Sequence, residues 1–303
     1  MISIASPVCI APTGDWCGEG AVWHAAESSL YWTDINRFLI HRLNSLDRSV
    51  TTWFFDEPVT SMILTDSDDT LAVTLGSRVI LWKPASDERV DQGYRVPGWP
   101  NVRSNDARAD SRGSLWLGTM RNNVNPDGSA GDAGGTDGFL VRIDPDGAVS
   151  EWKRDIGIAN TVIWSPDRTR FYFADTLLNE IYVYDYDDAS GSIHGERRFF
   201  AGFERGNPDG STVDSLGYLW NCRYGGHCIV RVAPDGSIDQ VIEMPVSNIT
   251  TCTFGGPDLT TLYVTTAGLG TGERLGGGLF AIRTNVQGQP ENRFRASGRA
   301  SVA

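Results

Sequence analysis

Leu30-Tyr31-Trp32-Thr33 is a short run of β-forming residues, and it has five counterparts further along the chain. They are Leu71-Ala72-Val73-Thr74, Leu115-Trp116-Leu117-Gly118, Phe171-Tyr172-Phe173-Ala174, Leu219-Trp220-Asn221-Cys222 and Leu262-Tyr263-Val264-Thr265. Their first residues are separated by 41, 44, 56, 48 and 43 positions. A unit that returns at this interval is the mark of a four-stranded propeller blade. Each run is followed by a second β-like stretch: Phe38 to Leu43, Val79 to Trp82, Phe139 to Ile143, Ile181 to Tyr186, Ile229 to Val232 and Leu279 to Ile282. Aromatic and β-branched residues dominate these stretches, and Gly, Asp, Asn and Pro interrupt them. Asp144-Pro145-Asp146-Gly147 and Pro234-Asp235-Gly236 read as turns, because Pro presets φ and Gly tolerates a positive one. No long amphipathic helix stands out. The expected architecture is therefore all-β, a six-bladed β-propeller formed by residues 1–303 as one domain. Closing the ring removes most of the exposed sheet edges.

The longest interval, 56 residues, contains a stretch from Asn122 to Gly138 rich in Gly, Asn and Asp. It is predicted to be a loop inserted between strands of the third blade, over one mouth of the channel. Ala267 to Gly278 reads as a second loop of this kind. Neither matches a phosphate-binding glycine motif.

Composition narrows the function. Hydrophobic residues at 40% and charged residues at 21% leave ample material for a core. A formal charge of −12 argues against nucleic acid, which is bound by Lys and Arg neutralising phosphates, and against an anionic membrane surface. Cys9, Cys17, Cys222, Cys228 and Cys252 are odd in number and form no C-x-x-C pair, so neither a disulfide framework nor a zinc-thiolate site is expected. The N-terminal residues have no basic segment followed by an apolar run, and no stretch approaches the ~20 apolar residues of a membrane span. A cytoplasmic protein is the expectation, as a monomer or weak homo-oligomer.

Ten or eleven residues before each marker run lies a polar residue: Glu19, Ser61, Asn105, Asn160, Asp209 and Thr251. These are the positions where the innermost strand of each blade is expected to begin, beside the channel. Apolar residues are usual at buried β positions. Six oxygen-bearing side chains converging on one axis suit a hard divalent cation, which takes Asp, Glu and Asn oxygens at ~2.0–2.6 Å. Two carboxylates supply a charge matching such an ion. Other catalytic schemes lack their signatures. His24, His41, His194 and His227 form no metal-binding pair, and no G-x-S-x-G nucleophile elbow exists.

The chain resembles the family that unites senescence marker protein (regucalcin), gluconolactonase and luciferin-regenerating enzyme, looking closest to bacterial xylonolactonases and gluconolactonases. The resemblance is carried by Gly18-Glu19-Gly20-Ala21-Val22-Trp23, Arg103-Ser104-Asn105-Asp106, Asn160 with Trp164-Ser165-Pro166-Asp167, Pro208-Asp209-Gly210-Ser211 with Asp214, and Phe254-Gly255-Gly256, in order and at blade spacing. It implies a six-bladed propeller with a metal ion in the central channel, held by Glu19, Asn160 and Asp209. It also implies Arg103 and Asn105 as substrate-binding residues and a sugar lactone as the small-molecule substrate. Family members are reported with calcium, zinc, manganese or ferrous iron. Thr161 stands where the family usually has Gly, Arg168 replaces another Gly, and Leu216 replaces a frequent Glu.

From these residues the expected reaction is metal-dependent hydrolysis of a xylono-, arabinono- or gluconolactone. The cation would polarise the ester carbonyl, Arg103 and Asn105 would hold ring oxygens and hydroxyls, and Asp209 would act as general base. Water activated at the cation is the competing nucleophile, because a carboxylate bound to a metal is a poorer base. The alternatives are a regucalcin-like calcium-binding regulatory protein and a metal-dependent hydrolase of another ester.

Overall fold

Every marker run is the second strand of a four-stranded antiparallel sheet in the computed structural model, which describes residues 2–296. Six such sheets are present among the described residues. Blades 1 to 6 begin with the strands Gly18–His24, Val59–Leu64, Val102–Ala109, Ala159–Trp164, Asn207–Val213 and Ile249–Gly255. These first strands touch one another in cyclic order, the last against the first, so they line the axis of a ring. The six-bladed propeller expected from the repeat is the observed fold.

The ring is closed by a strand that the repeat did not announce. Blade 6 has three strands from the C-terminal part of the chain, and its outer strand is Val8–Ala11, paired antiparallel with Leu279–Arg283. Blade 6 therefore draws its strands from both the N-terminal and the C-terminal parts of the chain.

Adjacent blades share apolar clusters. Trp220 and Cys222 of blade 5 pack with Cys252, Phe254 and Leu262 of blade 6. Trp32, Trp82, Trp116 and Trp220 are fully buried, and each indole N–H donates to an Asp: Asp15, Asp87, Asp110 and Asp214, at 2.8–2.9 Å. A buried indole needs such a partner, since an unpaired N–H forfeits much of what burying its rings contributes. His24 and His41 are buried within blade 1, in agreement with a packing role. All five cysteines are free thiols.

Near the axis the seams between blades are polar. Thr33 Oγ1 donates to Val59 O at 2.7 Å, Thr60 Oγ1 meets Ser104 Oγ at 2.8 Å, and Thr250 Oγ1 donates to Gly18 O at 2.5 Å. At the seam of blades 4 and 5, Thr176 Oγ1 donates to Pro208 O at 2.7 Å. Three of these hydroxyls bond a backbone carbonyl of the next blade, where a buried carbonyl needs a partner.

The two mouths differ. The far one is crossed by residues 287–295: Gln289 Nε2 donates to Trp164 O, Asn292 Nδ2 to Ala109 O, and Phe294 is buried in the seam between blades 2 and 3. Glu291 lies 3.5 Å from Arg108 Nε. This tail stoppers the channel, a feature no motif disclosed. No helix among the described residues is long and apolar enough to cross a membrane.

Candidate functional site

The near mouth carries both Gly-rich loops. Residues 122–138 join Leu115–Arg121 to Gly138–Ile143, as expected for an insertion in blade 3. The loop then reaches blade 1, where Asn36 Nδ2 donates to Gly128 O at 2.7 Å. Gly128 has φ +82°, and a Cβ there would sit 2.3 Å from Asn36 O, so the close approach requires glycine. The second loop, 267–278, leans on the same edge: Leu269 N donates to Trp16 O. The ring of Trp16 faces Gly128, and the two loops meet at that residue.

Below them the innermost strands begin irregularly. The register slips between Glu19 and Val22, Ser104 and Ala107, Asn160 and Ile163, and Pro208 and Ser211. Bulges of this kind re-aim side chains, and here they interrupt the alternation at the candidate ligand positions. Asn160 and Asp209 are buried, and Glu19 is half-buried against the channel.

Glu19 and Asp209 lie near enough for each to act on the other's ionisation. Burial pushes the Glu19 carboxyl well above the usual carboxylate range, and the Asp209 and Asp106 charges push it further. Asp209 is raised likewise, by burial first and then by Asp106. Arg103 is the cation that opposes these charges, and burial lowers its own pKa to about 10. Asp106 was not singled out from sequence; its carboxylate accepts from Val162 N at 3.2 Å, and its charge is felt at both Glu19 and Asp209.

The Asn160 amide is oriented by its neighbours. Its Nδ2 donates to Thr176 Oγ1 at 2.8 Å, and its Oδ1 accepts from Asn105 Nδ2 at 3.1 Å. Asn105 Nδ2 also donates to Ala159 O, and Asn105 Oδ1 accepts from Arg103 Nη1 at 2.7 Å. Arg103 donates further to Ser104 O, and from Nε and Nη2 to Asn123 Oδ1. Four of the five guanidinium N–H groups are thereby engaged. Arg103 forms no ion pair among the described residues; its partners are amide and backbone oxygens.

Asn123 is the residue the sequence did not disclose. It lies in the 122–138 stretch, where composition signalled only a loop, yet its Oδ1 takes two donors from Arg103 and its side chain is half-buried at the mouth. Ser61 and Thr251, by contrast, serve the seams: Ser61 Oγ accepts from Ala107 N, and Thr251 packs against Gly210.

Among the described residues, no three His, Cys, Asp or Glu side chains gather as a metal cluster. The third member of the candidate set is an amide, and the donor set fits a hard cation on its chemistry. Two neighbouring carboxyls oppose each other's ionisation, and a divalent cation between them removes that conflict.

The residues matched to known proteins are those of the ring. The SMP-30/gluconolactonase/LRE-like region model matches residues 17–268. The chain belongs to this family. It is 35% identical to the pentonolactonase of Haloferax volcanii over 290 residues, covering 91% of this chain and 94% of that protein. It is 31% identical to the 6-deoxy-6-sulfogluconolactonase of Pseudomonas putida, covering 94% and 97% of the two chains. The crystal structure of a calcium-binding protein, regucalcin, from Agrobacterium tumefaciens superposes with a TM-score of 0.88 at 26% identity, over 96% of this chain and 98% of that one.

Proposed function

We propose that this chain hydrolyses a sugar lactone to the aldonic acid, with one divalent cation held by Glu19, Asn160 and Asp209. The observation that carries the reading is a pair of neighbouring carboxyls, both raised by burial, on the same ring of inner strands as an Asn160 amide oriented by Thr176 and Asn105, with the far mouth crossed by residues 287–295. Pentonolactones and hexonolactones are the substrate class, in keeping with the names of the two lactonases above.

When bound, the cation supplies Lewis-acid polarisation of an ester carbonyl. The protein's own part is positioning and proton transfer. Asn105 and Asn123, both held by Arg103, offer amide groups to ring hydroxyls and orient the lactone. One Arg103 N–H remains to donate to an oxygen of the substrate. Asp209 accepts a proton from the attacking water as the new C–O bond forms. The acyl bond to the ring oxygen then breaks, and that oxygen takes the proton held by Asp209 and leaves as a hydroxyl. The far-end stopper and the two loops limit water access to one side.

Likeness to a regucalcin described as calcium-binding supports a second reading, a calcium-binding protein without turnover. One experiment separates them. Chelator-treated protein is assayed by pH indicator against xylono-, arabinono- and gluconolactone, before and after add-back of single metals. Loss and recovery of hydrolysis supports the enzyme. Tight calcium binding with no turnover of any lactone supports the second reading, and full activity after verified metal removal overturns the metal assignment.

A further inference from the structure

Each candidate ligand is followed by a residue that abuts the next blade. After Glu19 comes Gly20, with φ +57°, where a Cβ would lie 2.9 Å from Thr60 O and 3.0 Å from Ser61 Cα. After Asp209 comes Gly210, where a Cβ would lie 2.1 Å from Thr251 Oγ1. These two positions have no room for a side chain. The residue after Asn160 is Thr161, with φ +56° and no exposed surface. A β-branched residue in the left-handed region is strained, and such strain persists only where the surroundings over-determine it.

The surroundings here are polar and specific. Thr161 Oγ1 donates to Asp209 O at 2.6 Å and lies 2.9 Å from Ser211 Oγ. Asn221 Nδ2 adds a 3.0 Å bond to Ser211 Oγ and a longer one to Asp209 O at 3.4 Å. The strained residue thus bonds the backbone of one candidate ligand while adjoining another in sequence. No sheet ladder joins blades 4 and 5 at this level, because the strands Ala159–Trp164 and Asn207–Val213 belong to different sheets.

We infer that Thr161 is a positioning residue that sets the spacing between Asn160 and Asp209, and with it the affinity of the channel for a divalent cation. The inference rests on the reading of Asn160 and Asp209 as ligands. Its hydroxyl does the work that close glycine packing does beside Glu19 and Asp209. A glycine at 161 relaxes the backbone but removes the tie between the two blades. A valine keeps the strain and the shape and removes only the hydrogen bonds. A serine keeps the hydroxyl with less strain.

The test is calorimetric titration of the chelator-treated full chain with Mn²⁺ and, separately, Ca²⁺, together with a melting curve in chelator. Thr161→Ser is expected to bind within about twofold of the unmutated chain. Thr161→Gly and Thr161→Val are expected to bind about tenfold or more weakly, the usual scale for groups that orient ligands from outside the ligand set. Thr161→Gly is also expected to melt no lower than the unmutated chain, so that weaker binding cannot be assigned to a loosened fold. Glycine or valine variants that bind Mn²⁺ and Ca²⁺ as tightly as the unmutated chain overturn the positioning role and leave the ligand assignment standing. An unmutated chain that binds neither ion overturns the ligand assignment, and this inference with it.

Discussion

Asn105 Nδ2 lies 3.1 Å from Asn160 Oδ1, joining the side chains of blades 3 and 4 at the channel mouth. Asn105 in turn accepts from Arg103, so a residue of the proposed substrate side and a residue of the proposed metal side share one hydrogen-bonded chain. Changes on either side are expected to be felt on the other.

That link predicts coupled effects at Arg103 and Asn123. Arg103→Ala should raise KM for hydroxylated lactones and lower stability by roughly 1–3 kcal/mol, because buried amide oxygens lose their donors. Arg103→Lys should not restore KM, since one ammonium cannot reproduce the forked donation to Asn123 Oδ1. A double-mutant cycle with Asn123→Ala, read in kcat/KM, should show the two losses to be far from additive. Additive losses would separate the two residues.

Asp209→Asn tests the base. Turnover should fall by about 10²–10⁴-fold, the usual range for a general base. The chelator-treated variant should melt at or above the unmutated chain, because one of two neighbouring carboxyls becomes neutral. Near-normal kcat would exclude Asp209 as base.

Gly128→Ala probes the crossing of the 122–138 loop to blade 1. The added Cβ meets Asn36 O at 2.3 Å, so the loop must lift from its seat. KM for a lactone is expected to rise several-fold while the melting temperature changes little. The site's strands lie elsewhere, and surface loops contribute modestly to global stability. Unchanged KM would show that the crossing has no part in substrate binding.

The far-end stopper should matter to the fold alone. Phe294→Ala empties a buried position between blades 2 and 3, and a loss of about 3–5 kcal/mol in urea unfolding is expected. Catalytic constants of the folded variant should stay within about twofold, since Phe294 lies at the opposite end of the channel from Asn160. A large change in kcat would mean that the tail reaches the chemistry.

How far the sequence could be read differs between fold and site. The six marker runs determined the blade count because a blade is a local unit, and each run falls on the second strand of its own sheet. The same register placed Glu19, Asn160 and Asp209 at the starts of strands lining the axis, since a repeated position in a ring points to a common centre. Local pattern says nothing about contacts between blades. Val8–Ala11 completing blade 6, residues 287–295 closing the far mouth, and Asn123 held by Arg103 all depend on segments distant in sequence meeting once the ring has closed. The Thr161 bond to Asp209 O is of the same kind: the sequence shows a threonine where glycine is usual, and only the packing of blade 4 on blade 5 gives its hydroxyl a partner.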